Sequence, residues 1–160
     1  MASKAPPRPS TGIVVAATAA SVVGLVLLVA VGSAIDRVLL IPPLAASAAL
    51  IYGAPALPLS QPRSVIGGQL LSALTGFVVL WIAGDSVWAS AVAGGLALGV
   101  MQIARTPHSP AAATAVIVVA TEPDALVFLP LLLLATVILV LVGVAAGRAS
   151  AKSSYPAYWW

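Results

Sequence analysis

The chain has 160 residues, of which 61 % are hydrophobic and 7 % charged, and it contains no cysteine. A soluble domain is typically about 45–50 % apolar and about 25 % charged, so this chain cannot clothe a water-facing surface. A soluble enzyme, a disordered chain and a disulfide scaffold are excluded, as are thiolate metal sites and thiol redox chemistry. The formal net charge of +3 comes from Lys and Arg scattered along the chain rather than gathered in a patch. Membrane orientation accounts for such charges, and nucleic acid is not a partner. The composition is that of an all-α integral membrane protein whose surroundings are the lipid bilayer.

Residues 1–12 form a polar, Pro-rich tail with Lys4 and Arg8, read as disordered. Residues 13–35 are uncharged and about as long as the roughly 20 residues a helix needs to cross the hydrocarbon core. A signal-peptide core is only ~7–15 residues, so this run is a membrane span, ended by Asp36-Arg37. Residues 38–59 are also uncharged but are broken by Pro42-Pro43, Gly53, Pro55 and Pro58. A clean span, 65–83, lies between Arg63 and Asp85, and another, 87–104, ends at Arg105. Residues 106–121 open with Thr-Pro-His-Ser-Pro and close at Glu122 and Asp124. The last clean span is 125–146, and residues 148–160 form a tail with Arg148, Lys152 and four aromatic residues.

Charge placement decides whether the two broken segments cross. If both dip in and return, Lys4, Arg8, Arg148 and Lys152 are inside while Arg37, Arg63 and Arg105 are outside. That arrangement has almost no bias. If both cross, Lys4, Arg8, Arg63, Arg105, Arg148 and Lys152 are cytoplasmic and only Arg37 is outside. The positive-inside rule selects the second arrangement. The expectation is a multi-pass protein of the cell membrane with six transmembrane segments and both termini cytoplasmic. Its transmembrane domain spans 13–147.

A weak repeat agrees with that count. Pro43 followed by Ser47 aligns with Pro110 followed by Thr114, each pair set in a run of small residues. Residues 13–83 and 87–146 each then hold a clean, a broken and a clean segment. Three spans per half give two inverted repeats, a plan shared by many secondary transporters. Proline fits the first helical turn, so Pro42-Pro43 and Pro110 predict half-helices over 43–52 and 110–120. Ten residues reach roughly 15 Å, about half the core, which puts both N-termini near the bilayer centre. Such N-termini carry unpaired N–H groups and partial positive charge, suited to a small anion. Neighbouring helices and hydroxyls satisfying those groups is the competing arrangement.

Gly67, Gly68, Ser72 and Gly76, with Gly94, Gly95 and Gly99, read mainly as helix-packing positions. Gln69 and Gln102 are the polar side chains of the two central spans, and His108 is the only histidine. Asp85, Glu122 and Asp124 read as solvated boundary charges. One histidine and no cysteine build no His/Cys metal site, and no triad or phosphate loop is present. The chain is therefore not an enzyme and needs no cofactor.

Three stretches carry a resemblance: GAPALPLSQPRSVIGGQLLSALTG from Gly53, RTPHSPAAATA from Arg105, and YPAYWW from Tyr155. They resemble the bacterial and plastid HPP family, named for a His-Pro-Pro motif in its transmembrane region. The resemblance carries over Pro58, Gln61, Pro62, Arg63, Gly67, Gly68, Ser72, His108 and Pro110. It implies a multi-pass membrane protein, and a link of plastid relatives to nitrite transport. Two positions depart from the family pattern: His108-Ser109-Pro110 replaces His-Pro-Pro, and Gly67-Gly68-Gln69 replaces Gly-Gly-His. If those positions bear on substrate or protons, selectivity or transport itself changes with them.

The reading is a small-anion (nitrite-like) transporter or channel whose partner is a small inorganic anion. Substrate-binding candidates are Pro43, Ser47, Gln69, His108, Ser109, Pro110 and Thr114, with Arg63 and Arg105 at the cytoplasmic edges. The competing reading is a non-transporting membrane scaffold or accessory subunit. A bundle this thin favours a homo-oligomer under either. Tyr155, Tyr158, Trp159 and Trp160 are expected to lie at the membrane surface as an aromatic anchor.

Overall fold

A computed structural model of the chain describes residue 5, residues 7–149 and residues 155–160. Lys4 and Lys152 lie outside the described residues. The described chain is all-helical: α1 (Thr11–Ala34), α2 (Pro42–Gly53), α3 (Gly68–Ala83), α4 (Val87–Ile103), α5 (Ser109–Thr121) and α6 (Ala125–Ala149). A short 3-10 turn, Pro58–Ser60, and a π-helical turn, Arg63–Gly67, lead into α3.

Local chemistry sets the helix ends. Pro42 and Pro43 fill the first turn of α2 after an extended Ile41, and Pro110 sits in the first turn of α5 after an extended His108. Pro already has the helical φ and lacks the N–H that a first turn leaves unpaired. Ser86 caps α4 by accepting from the Ala89 N–H at 3.0 Å. Asp124 caps α6, its Oδ1 accepting from the Leu126 N–H at 2.8 Å. Gly84, with φ +72, ends α3 where a side chain would be strained. Helices thus cover both expected ranges, 43–52 and 110–120, each about one residue longer at either end. The clean span 125–146 holds an internal proline, Pro130, in the second turn of α6.

The principal packing pairs do not follow chain order. Helix α1 packs on α2 and α6, and α2 packs on α6. Likewise α4 packs on α5 and α3, and α5 packs on α3. Between these two groups, α2 meets α5 and α3 meets α6. Exchanging α1, α2, α3 for α4, α5, α6 maps three of these pairings onto three others and leaves α2 with α5 and α3 with α6 unchanged.

Side chains repeat the same exchange. Pro43 and Pro110, Ser47 and Thr114, Gln69 and Thr136, and Gly76 and Gly143 are all separated by the same number of residues. Ser47, Gln69, Thr114 and Thr136 are each 0 % exposed.

Glycines set the close approaches. A Cβ on Gly76 would lie 2.8 Å from the Ala115 carbonyl oxygen, and one on Gly68 would lie 2.8 Å from both Thr106 O and His108 Cβ. One on Gly94 would meet Val116 at 2.9 Å, whereas Gly95 and Gly99 have nothing within 4 Å. The glycines read as packing positions therefore divide: Gly67, Gly68, Gly76 and Gly94 pack inside the bundle, and Gly95 and Gly99 face outward.

Three helical stretches are long and apolar enough to cross a membrane: Thr11–Ala34, Arg63–Ala83 and Ala125–Ala149. Helices α4 and α5 are shorter and apolar. Large apolar side chains such as Val22, Trp88, Leu96 and Leu126 stand exposed on the outside of the bundle. An apolar outer surface of this extent suits lipid rather than water.

Candidate functional site

Four polar side chains meet where the N-terminal halves of α2 and α5 come together against α3. Ser47 lies in the second turn of α2, and its Oγ is 2.7 Å from His108 Nε2 at the start of α5. Gln69 on α3 bridges the two broken helices. Its Nε2 donates to Ser47 Oγ at 3.0 Å, and its Oε1 accepts from the Thr114 hydroxyl. Ser47 and Thr114, which align in the sequence, thus hold opposite ends of one amide. His108 Nδ1 is 2.7 Å from the Leu59 carbonyl oxygen, which ties the node to the turn before α3.

Donor bookkeeping fixes the direction of this chain. A carbonyl only accepts, so Nδ1 of His108 carries a hydrogen. In a neutral ring Nε2 then accepts, and Ser47 donates to it. The bonds run one way, from Thr114 through Gln69, Ser47 and His108 to Leu59. The Ser47 hydrogen has a second acceptor, the Pro43 carbonyl oxygen at 2.9 Å. That alternative would come into use if His108 gained a second ring hydrogen. The node contains no carboxylate and no permanently charged side chain.

The node lies nearer one end of the bundle. Gln69 is roughly 9 Å along the helix from Arg63 and roughly 21 Å from Ala83, at 1.5 Å per residue. The Arg63 guanidinium donates to the Ala104 carbonyl at 3.1 Å and lies 5.9 Å from the Trp160 ring centroid. Its Nε is buried without a partner. Arg105 is exposed with φ 59 in the turn between α4 and α5. Ser109 is exposed, and Pro43 is buried under the node. Gln102 also faces outward, apart from the node.

The N–H groups expected to hold an anion are largely engaged. Pro42, Pro43 and Pro110 have none, the Leu44 N–H donates to Ile41 O at 2.9 Å, and the Ala111 N–H donates to His108 O at 2.9 Å. Side chains, rather than free backbone donors, therefore define the site. A cleft of about 260 Å³ lies elsewhere, between α1, α2, α6 and Tyr155, and none of the four node side chains lines it.

The loop before α3 and the C-terminal residues form one structure. Ser60 Oγ bonds the Ala54 and Leu50 carbonyls at the end of α2, at 2.7 and 3.0 Å. Gln61 Nε2 donates to Pro55 O at 2.8 Å, and Gln61 Oε1 accepts from the Ala157 N–H at 2.8 Å. Tyr155 is expected at the surface with the other aromatics, but it is 5 % exposed, while Tyr158, Trp159 and Trp160 are exposed. Its ring fits over Gly143, its backbone over Gly147, and its hydroxyl donates to Ser60 O at 2.9 Å. Burial pushes the Tyr155 hydroxyl pKa up, keeping it a neutral donor.

Sequence reasoning did not assign the Leu59 carbonyl or Thr136, and treated Ser72 as a packing residue. Extending the Pro43–Pro110 alignment into the flanking helices would have exposed Thr136 as the counterpart of Gln69.

The family model described as "HPP, transmembrane region" matches residues 6–156. The chain belongs to the HPP transmembrane region family. Two transmembrane proteins of Dictyostelium discoideum are similar to this HPP chain. One is 35 % identical over 125 residues, covering 72 % of this chain and 44 % of the relative. The other is 30 % identical over 134 residues, covering 78 % of this chain and 43 % of the relative. The HPP chain thus spans less than half the length of these two curated relatives. No solved structure matches it.

The node depends on Gln69 as its bridge. Gln69→Leu keeps the approximate volume but removes the bonds joining α2 and α5 through α3. The expected cost is about 1–3 kcal/mol, since Thr114 can turn back to a carbonyl of its own helix. It is read as a lowered thermal midpoint of the protein in detergent.

Proposed function

We propose that this HPP protein is a membrane transporter or channel for a small monovalent anion of nitrite size, and not an enzyme. The observation carrying the proposal is the buried Ser47–Gln69–Thr114–His108 node, placed where two proline-started helices meet. Polar side chains inside a lipid-facing bundle are costly, and they commonly mark a solute path. His108 stands at the start of α5 and Ser47 in the second turn of α2, so the positive ends of both helices lie near the node. Its neutral donors suit a weakly hydrated anion. These groups bond one another, and a solute would enter by exchanging with those bonds. The engaged N–H groups of the first turns favour the second reading, a membrane scaffold or accessory subunit. Nitrite entry into proteoliposomes, with chloride, nitrate and formate as competitors, separates the two. Saturable entry supports transport; folded protein that moves no anion above empty vesicles leaves the scaffold.

The proposed architecture is six crossings in two inverted repeats with cytoplasmic ends. The exchange symmetry of the packing pairs and the common spacing of the repeat pairs support it. A chain without cysteine makes this directly testable. Asp85→Cys, in the exposed turn between α3 and α4, is expected to react with an impermeant maleimide added outside cells, and Ala56→Cys only after lysis. The opposite pattern is what two re-entrant segments would give.

A further inference from the structure

Ser72 lies one turn beyond Gln69 on α3, is 0 % exposed, and its Oγ has no hydrogen-bond partner. A helical serine or threonine ordinarily reaches a carbonyl of the preceding turn. Thr75, Thr121 and Thr136 do so, at 2.8 to 2.9 Å, while Ser47 and Thr114 bond side chains of the node. Ser72 does neither. Gly68, Ser72 and Gly76 recur every four residues and form one stripe along α3. The Gly68 end of that stripe lies against His108 and the Gly76 end against Ala115. The hydroxyl between them therefore faces the first two turns of α5. Thr114 and Gln69 occupy the same flank.

We infer that Ser72 is a solute-contacting residue: its hydroxyl donates to the anion at the N-terminal turns of α5, beside Gln69 and Thr114. The inference rests on the transport reading above and specifies its site further. Ser47, Gln69 and Thr114 bond one another, which leaves the Ser72 hydroxyl as the donor of this cluster without a protein acceptor. Among the described residues no Lys or Arg bonds into this cluster. The cluster therefore offers an anion neutral donors and a helix end rather than a cationic side chain.

The test compares wild type, Ser72→Ala and Thr75→Ala in nitrite flux from proteoliposomes and in melting in solute-free detergent. Ser72→Ala is expected to melt at or above wild type, because a buried hydroxyl without a partner is removed. It should need about tenfold more nitrite for half-maximal flux, the loss of one hydrogen bond to a charged solute. Thr75→Ala, which loses only a bond within α3, should keep the wild-type half-saturation. An unchanged half-saturation in Ser72→Ala beside an active wild type overturns the inference and leaves transport standing. So does a Ser72→Ala protein that melts well below wild type, because the hydroxyl then has a structural partner. An inactive, folded wild type overturns the transport reading, and this inference with it.

Discussion

Nitrite flux through protein carrying Ser47→Ala together with Thr114→Val is expected to fall at least about a hundredfold in kcat/KM, with the helical fold retained. The two hydroxyls align in the sequence, sit on α2 and α5 and are both 0 % exposed. Each hydrogen bond to a charged partner contributes about 1.5–3 kcal/mol, so losing both removes at least about 3 kcal/mol. At about 1.4 kcal/mol per factor of ten, that corresponds to the stated loss. Both substitutions delete a hydroxyl with little change in volume, so the helices keep their contacts. Gln69 would lose a partner at each end of its amide, and some fall in the melting midpoint accompanies the loss of flux. Helical circular dichroism and a single melting transition check that the fold persists. Wild-type flux in a folded double variant would place the solute path elsewhere.

Gly76→Ala is expected to destabilise the protein by about 2–3 kcal/mol, the upper part of the range for overpacking a tight interface. The added methyl would lie 2.8 Å from the Ala115 carbonyl oxygen, 2.9 Å from Val118 Cβ and 3.0 Å from Ala115 Cα. Two of these three atoms belong to the backbone of α5, so no rotamer change relieves the contact. Helix α5 would have to move off α3, loosening the Gln69–Thr114 bond as well. Gly95→Ala provides the contrast, since nothing lies within 4 Å of its Cβ position. Alanine there gains roughly 0.5–1 kcal/mol of helix propensity over glycine. Paired thermal melts in one detergent read the difference, and equal melting points would refute the close-packing account.

The parts of the fold visible in the sequence are those set by local chemistry. Pro42-Pro43 and Pro110 announce helix starts because proline suits only a first turn, and α2 and α5 begin there. The alignment of Ser47 with Thr114 was visible because the prolines supply a register. The bond from Ser47 to His108 was not visible, since it joins residues far apart in sequence through packing alone. Tyr155 shows the same limit. A tail aromatic near a membrane reads as a surface anchor, and only the groove made by Gly143 and Gly147 turns it inward. The engaged first-turn N–H groups had a local signal: two successive prolines leave a helix start with fewer donors to offer.

The crossed pairing of helices also bears on how the chain is made. Helices α3, α4 and α5 are consecutive and can close on one another as soon as Thr121 has been synthesised. Helices α1 and α2 emerge before these three, yet both pack on α6, which emerges after them. Until then the Tyr52 hydroxyl lacks its acceptor, the Leu139 carbonyl 3.0 Å away, and α2 presents that polar group unpaired. Part of the packing of α1 and α2 therefore waits in the membrane until α6 has been made, although α2 also meets α5.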